Sequence, residues 1–370
     1  MSLSLQSQSP KVLTGADRLE LLLPKVAGQR VALVVNQTSV IGTTHLVDTL
    51  LLRGVNITTI FSPEHGLRGN EPDGQLLSDS IDLKTGIPIY SLYGKSKKPN
   101  SAQLLNVDVV IFDIQDVGAR FYTYISTLYY VMEACSEENK KLIVLDRPNP
   151  NDYIDGPVLK KSQQSFVGML PIPIVYGLTI GELAMMINGE GWLEGKTKCN
   201  LEVIPVKYWN HSQAWSLQIK PSPNLPNDKS ILLYPSLCLF EGTVISVGRG
   251  TEFPFLVIGN PTLTNYSFQF KPVSIVGISK YPPFENQICY GLDLRNARVK
   301  TQIDLSYLIK MYNDFSDKKN FFTDYFNKLA GNTELKEQII KGMNEDQIRA
   351  TWKRDLHSYK LKRKKYLLYP

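Results

Sequence analysis

Asp108–Ile114 (DVVIFDI) is the segment that most narrows what this chain can fold into. Four consecutive β-branched or aromatic residues with no polar alternation read as a strand covered on both faces, the kind found in parallel sheets flanked by helices. Similar runs recur at Arg30–Asn36 (RVALVVN), Asn56–Phe61, Ile87–Leu92, Leu142–Leu145 and Leu201–Val206. Helical patterns stand between them. His45–Arg53 is closed by Gly54, and Phe121, Ile125, Leu128, Met132 and Cys135 fall on one face. Thr179 with Glu182 three residues on forms a capping box for a helix over Ile180–Asn188. The expected fold is α/β: a Rossmann-like, mostly parallel sheet with helices on both faces, spanning residues 1–259.

Around Asn260 the rhythm changes. Strand candidates at Pro254–Ile258, Ser274–Ile278 and Gln287–Leu292 give way to helical stretches from Asp304 and from Glu334. Residues 260–370 are read as a smaller α+β auxiliary domain. No Gly/Ser-rich linker precedes it, so it is expected to form one wall of a cleft and not to swing free. Lys220–Pro226 reads as a proline-rich surface loop, and Ile231–Phe240 as an apolar stretch of undetermined type.

Charge excludes some functions. The net charge is +6, and Lys353–Lys365 alone carries seven basic residues against Asp355, so the rest of the chain sums to zero. One basic tail is a solvated helix face or a patch for something anionic. It lacks the spread of basic and aromatic residues expected for nucleic acid, so no nucleic-acid partner is expected. Cys135, Cys199, Cys238 and Cys289 form no C-x-x-C pair, and the four histidines are scattered, so no metal is expected. No apolar run is long enough to span a membrane, and the first ten residues lack the features of a signal peptide. No G-x-G-x-x-G follows the first strand and no P-loop is present, so no nicotinamide, flavin or nucleotide cofactor is expected.

Strands of a parallel sheet share a carboxyl edge, where ligands bind. Three polar loops follow strand ends: Ser62–Gly69 with Glu64, His65 and Arg68; Gln115–Tyr122 with Asp116, Arg120 and Tyr122; and Asp146–Pro150 with Arg147 and Asn149. For Asp116–Arg120 and Asp146–Arg147 the alternative is loop-stitching pairs. Glu64, between Pro63 and His65, has no evident capping job. A fourth loop, Glu241–Glu252, carries Arg249 and Thr251 among glycines and reads as an anion cradle or a structural loop. Carboxylates beside His and Arg suit acid/base work, and glycoside hydrolysis commonly uses two of them.

At these residues the sequence resembles a known bacterial family. Ser62-Pro-Glu-His-Gly-Leu-Arg-Gly69, Phe112–Tyr124, Leu145–Pro150, Tyr176–Ala184, Leu239–Thr243 and Ser246–Thr251 are similar to a group long labelled a domain of unknown function, which includes exo-β-N-acetylmuramidases of peptidoglycan turnover. The resemblance runs from about Gly15 to Tyr369. It implies a Rossmann-like catalytic domain, an auxiliary domain, a cleft between them, and release of N-acetylmuramic acid from non-reducing ends of peptidoglycan fragments. It carries Glu64 over as catalytic. His65, Asp116 and Glu241 are its candidate partners; Arg68, Arg120, Tyr122, Arg147, Asn149, Tyr176, Arg249 and Thr251 are candidate saccharide contacts. The expected location is periplasmic or secreted, with a leader removed, a cytoplasmic one being the alternative. Leu67, Val244 and Asn151-Asp152 depart from the family pattern and bear on sugar-side contacts. The rival reading is a non-catalytic glycan-binding protein on the same scaffold, against which the retained Glu64 and Glu241 argue. An esterase or amidase lacks its G-x-S-x-G.

Overall fold

In the computed structural model, residues 10–64, 66–67, 79–94 and 96–370 are described; His65 and Arg68 lie outside them. Seven strands build the main sheet: β1 (Arg30–Val35), β2 (Asn56–Ser62), β3 (Ser80–Ile81), β4 (Pro88–Ser91), β5 (Val109–Asp113), β6 (Lys141–Leu145) and β7 (Asn200–Ile204). Their order is β7-β6-β5-β1-β2-β4-β3, parallel throughout except for the edge pairing of β3 with β4.

The apolar runs are continuous because alternate residues feed two different cores. Ala32, Val34, Val110, Phe112, Leu142 and Val144 point into one core, while Val31, Leu33, Val35, Val109, Ile111, Ile143 and Leu145 point into the other. Helices α1 (Leu19–Val26) and α2 (Leu46–Leu52) cover the second face. Helices α3 (Tyr124–Glu137), α4 (Ile180–Gly189) and α5 (Asp228–Leu237) cover the first. The Thr179–Glu182 capping box is present at the start of α4.

The C-terminal part has a three-stranded antiparallel sheet of β8 (Val257–Asn260), β9 (Phe268–Phe270) and β10 (Cys289–Asp293). Helices α6 (Ser306–Asp314), α7 (Tyr325–Ala330), α8 (Glu334–Ile340) and α9 (Glu345–Arg363) follow. Its Leu308, Met311, Phe321, Phe326, Ile348 and Trp352 belong to the same core as Phe112 and Val144. At ~1.5–3 kcal/mol for each buried side chain of this size, that shared core holds the two parts as one body. Among the described residues, no helix is long and apolar enough to cross a membrane.

Two polar ties reinforce the junction. Arg120, with no exposed surface, donates from Nη1 to the carbonyls of Pro157 and Ile172 (both 2.8 Å) and from Nη2 to those of Leu329 (3.0 Å) and Ala330 (2.8 Å) at the end of α7. Burial lowers its guanidinium to about 9. Gly331 follows at φ 81°, and a Cβ there would stand 2.3 Å from Nη2 of Arg120. The other tie is the segment after α9. The Tyr369 hydroxyl donates to Asp146 (2.5 Å) and accepts from the Val206 amide (2.8 Å), while the Leu368 amide donates to Glu182 (2.8 Å). His211 bridges Asp152 (2.7 Å) and Glu182 (3.0 Å) beside it. Burial opposes the imidazolium, but these two carboxylates outweigh it and raise His211 to about 9.

Three local expectations are corrected. The strand placed at Pro254–Ile258 starts only at Val257, because Phe255 takes a left-handed backbone (φ 56°) that buries its ring completely. Ser274–Ile278 is a tight turn, closed by the Ile275–Ser279 bridge around Gly277 at φ 77°. The helical stripe begins at Tyr124, with Phe121 turned instead against Tyr234 (5.3 Å between ring centroids). Of the undetermined stretch Ile231–Phe240, the part to Leu237 belongs to α5, capped by Asn227, and the rest to a 3-10 turn that continues it. Pro235 inside that helix offers no N–H to the carbonyl of Ile231; Asn151 Nδ2 supplies the missing bond at 2.9 Å.

Candidate active site

Glu64 follows the carboxyl end of β2, in a turn closed by the Gly66 amide on the Pro63 carbonyl (3.1 Å), with Gly66 at φ 74°. It enters a cleft of about 370 Å³ with Tyr93, Tyr122, Thr123, Tyr124, Tyr234, Glu241, Arg249, Lys280, Tyr281 and Tyr325 among its lining residues. Thr123 Oγ1 donates to Glu64 Oε2 at 3.4 Å. Burial, followed by the charge and hydrogen bond of Glu64, raises the Tyr93 phenol well above its ordinary value.

Glu241 reaches the same cleft from the 3-10 turn Cys238–Gly242 that continues α5. Gly242 is required there: a Cβ would lie 2.4 Å from the backbone of Phe326 in α7. Burial pushes the Glu241 carboxyl up to about 7; the Cys238 thiol, donating at 3.4 Å, works against this, and the charge of Glu64 adds to it. Arg249 Nε holds Glu241 Oε1 at 2.6 Å and so favours the carboxylate. Its guanidinium also lies over the Phe255 ring, 5.1 Å from the centroid, and burial lowers it to about 10. Gly248 and Gly250, both at φ 78°, carry Arg249 between them. A Cβ on either would come within 2.6 Å of a neighbour, Val257 or Pro282. The glycine loop thus presents one arginine.

The cleft is tyrosine-walled. The Tyr122 and Tyr124 hydroxyls both donate to the carbonyl of Pro221 (2.8 and 3.0 Å), which draws the proline-rich loop over the site. A second depression, of about 380 Å³, shares Glu241, Arg249 and Tyr325 with the cleft and is otherwise lined by Thr243 and by apolar side chains such as Val244, Ile245, Val247 and Phe284. Glu241, Arg249 and Tyr325 therefore border both cavities. Among the described residues no group of three or more His, Cys, Asp or Glu side chains is arranged to hold a metal.

Glu64, Asp116 and Arg147 do follow the carboxyl ends of the parallel strands β2, β5 and β6. Of the candidates, Glu64, Tyr122, Glu241 and Arg249 meet in the cleft; His65 and Arg68 are outside the described residues. The others are not among the lining residues. Asp116 is 5 % exposed and bonded by the Tyr176 hydroxyl and the Gly118 amide (2.7 Å); burial raises it to about 7. Burial above all, with the charge of Asp116 among the lesser causes, raises the phenol of Tyr122 in the cleft wall. Arg147 makes a forked pair with Asp113 (2.6 and 2.9 Å). Asn149 donates to Leu178 (3.0 Å) and accepts from the Asn151 amide (2.9 Å). Thr251 caps its own loop through the Gly248 carbonyl (2.6 Å), and Arg120 is the tie described above. Sequence reasoning missed Tyr93, Thr123, Tyr124, Tyr234, Lys280 and Tyr325. Only Thr123 and Tyr124 carried a signal, since they directly follow a strand-end motif.

Comparison with known proteins agrees with this architecture. The N-terminal profile of the exo-beta-N-acetylmuramidase NamZ family matches residues 31–229 and its C-terminal profile residues 232–369. The peptidoglycan beta-N-acetylmuramidase NamZ of Bacillus subtilis (strain 168) is 37% identical over 390 aligned residues, which cover 98% of this chain and 92% of that one. Two solved structures of DUF1343 family proteins from Bacteroides fragilis NCTC 9343 superpose closely. One has a TM-score of 0.91 at 46% identity, covering 97% of this chain and 99% of its own. The other has a TM-score of 0.83 at 30% identity, covering 98% and 100%.

Proposed function

Because this chain belongs to the exo-β-N-acetylmuramidase NamZ family, a family of glycoside hydrolases, we propose that Glu241 and Glu64 are the carboxyl pair with which it releases N-acetylmuramic acid from the non-reducing ends of peptidoglycan fragments. The observation that carries the assignment is the convergence of these two side chains, from different elements, on one tyrosine-walled cleft.

Their surroundings support different roles. Glu241 borders both cavities and faces Glu64 across the first, which places it to meet the leaving group of a glycoside seated there. Burial raises its carboxyl to about 7 while Arg249 draws it back toward the carboxylate, so a protonated fraction remains near neutral pH to give to the leaving oxygen. As that proton leaves, Arg249 at 2.6 Å stabilises the carboxylate that forms. Glu64 lies inside the first cavity, where its carboxylate takes the hydroxyls of Thr123 and Tyr93 and serves as base or nucleophile toward the anomeric carbon. Tyr122, Tyr124 and Tyr234 offer flat, buried walls to the sugar.

Two substrates separate the roles: a MurNAc–GlcNAc disaccharide, and a nitrophenyl β-MurNAc glycoside whose leaving group needs no protonation. Glu64→Gln is expected to lower kcat on both by at least ~10²-fold, the usual scale of carboxyl assistance. Glu241→Gln should lose as much on the disaccharide but far less on the nitrophenyl glycoside. The opposite pattern would exchange the two roles. Rates within threefold of the parent for both variants would move the chemistry elsewhere.

A further inference from the structure

An enzyme that selects N-acetylmuramic acid over N-acetylglucosamine has one group to read: the lactyl ether on O3, which ends in a carboxylate on every muramyl residue that carries no stem peptide. In a partly desolvated cleft that anion needs a positive donor. Two cationic residues are described in the cleft lining, Arg249 and Lys280. Arg249 is already engaged, with Nε on Glu241 at 2.6 Å and its plane over Phe255. Lys280 makes no ion pair among the described residues; its ammonium stands 5.3 Å from the centre of the Tyr281 ring.

We propose that Lys280 is the specificity-determining cation, binding the lactyl carboxylate of the muramyl residue at the mouth of the cleft. The proposal rests on the muramidase reading above.

The loop that carries Lys280 is clamped. The Val273 amide donates to the Gly250 carbonyl (2.8 Å), and Ile275 and Ser279 exchange amide–carbonyl bonds (2.9 and 3.0 Å). Ser274 Oγ donates to the carbonyl of Lys280 itself (2.7 Å). From the opposite side, Asn224 Nδ2 donates to Ile278 (3.0 Å), so the loop is tied to a residue of the cleft wall. Pro282 closes on Gly250, where a Cβ would be 2.6 Å away. The loop therefore sits next to the arginine that holds Glu241, and the backbone of Lys280 needs little ordering when substrate arrives. Tyr281, 79% exposed, is a large apolar ring left facing water at the same mouth. A pyranose whose lactyl carboxylate rests on Lys280 would cover it.

The test compares the full chain with Lys280→Ala and Lys280→Arg on a nitrophenyl β-MurNAc glycoside, on the same glycoside with its lactyl carboxylate converted to the methyl amide, and on the β-GlcNAc glycoside. Binding of free MurNAc and free GlcNAc is measured alongside by calorimetry. For a charge-assisted contact at a partly exposed position, Lys280→Ala should lower kcat/KM on the free acid by about tenfold, through KM, with kcat within twofold. On the amide and on the GlcNAc glycoside, variant and parent should agree. Lys280→Arg should retain most of the preference for the acid. Equal losses on acid and amide, or no loss on the acid, overturn the proposal. So does a preference that disappears only when Arg249 or Arg68 is replaced. If the parent hydrolyses none of the glycosides yet binds MurNAc over GlcNAc through Lys280, the carboxylate site stands and the hydrolase reading fails.

Discussion

Replacing Arg120 with methionine separates architecture from substrate binding. The guanidinium is entirely buried and gives four hydrogen bonds to carbonyls: two in the N-terminal part (Pro157, Ile172) and two at the end of α7 (Leu329, Ala330). Methionine fills much of the volume but leaves the carbonyls of Pro157, Leu329 and Ala330 without this donor, while Ile172 keeps the Leu159 amide (3.1 Å). Each unpaired buried group costs ~1–3 kcal/mol. Part of that is offset, because Arg120⁺ is itself costly to bury, as its fall from 12.5 to about 9 shows. With that offset taken from the cost of the unpaired carbonyls, a net loss of ~3–5 kcal/mol is expected. With ~2.1 cal/mol/K of unfolding entropy per residue, a chain of 370 residues carries ~0.8 kcal/mol/K, so the melting temperature should drop by ~4–6 °C. Calorimetry reads this directly, and a split into two transitions would show the two parts melting separately. At 25 °C the KM for a β-MurNAc glycoside should stay within about twofold, since Arg120 is not among the lining residues of the cleft. An unchanged melting temperature with a raised KM would refute the reasoning and return Arg120 to the substrate.

Two further predictions concern pH. If Glu241 is the proton donor, kcat/KM on the disaccharide should fall as pH rises through about 7, and this limb should vanish in Glu241→Gln; a limb that persists there belongs to another group. His211 is raised in the fold from 6.5 to about 9, so its contribution to stability is fully present below pH 6.5 and is lost as pH rises through about 9. Discounted for solvent screening, the loss should be ~1–2 kcal/mol. Thermal melts across that window should decline in the parent and flatten in His211→Gln; equal declines would place the titration elsewhere.

The main sheet was legible because its strands are buried on both faces, and continuous apolar runs are hard to mistake. The capping box at Thr179 was legible because both of its partners are local. Strand-end arginines were ambiguous: Arg147 looks the same in sequence whether it meets a ligand or forks onto Asp113, which lies within the DVVIFDI run itself. The other wall of the cleft was not legible. Lys280 and Tyr325 arrive from segments whose position is set by packing against residues far away in sequence, and Phe255 takes a backbone conformation that no local pattern announces. Asn151 is explained by the helix proline whose vacated carbonyl it serves, and Asp152 beside it, where the family pattern has glycine, pairs with His211 (2.7 Å).

The tie made by Tyr369 also governs how the chain must be assembled. Its hydroxyl reaches Asp146 across 223 residues, and the bonds to Val206 and Glu182 span 163 and 186. Multidomain chains commonly fold domain by domain from the N-terminus during synthesis. Here a nascent chain that has completed its main sheet already gives Asp146 the Thr179 hydroxyl and the Gly181 amide (both 2.7 Å) and Glu182 the Thr179 amide (2.9 Å), but the bonds from Leu368 and Tyr369 wait until the segment after α9 is made. The halves matched by the two family profiles are therefore poor candidates for exchange between relatives: a recombinant crossover between them must keep the sheet edge of one parent compatible with the final residues of the other.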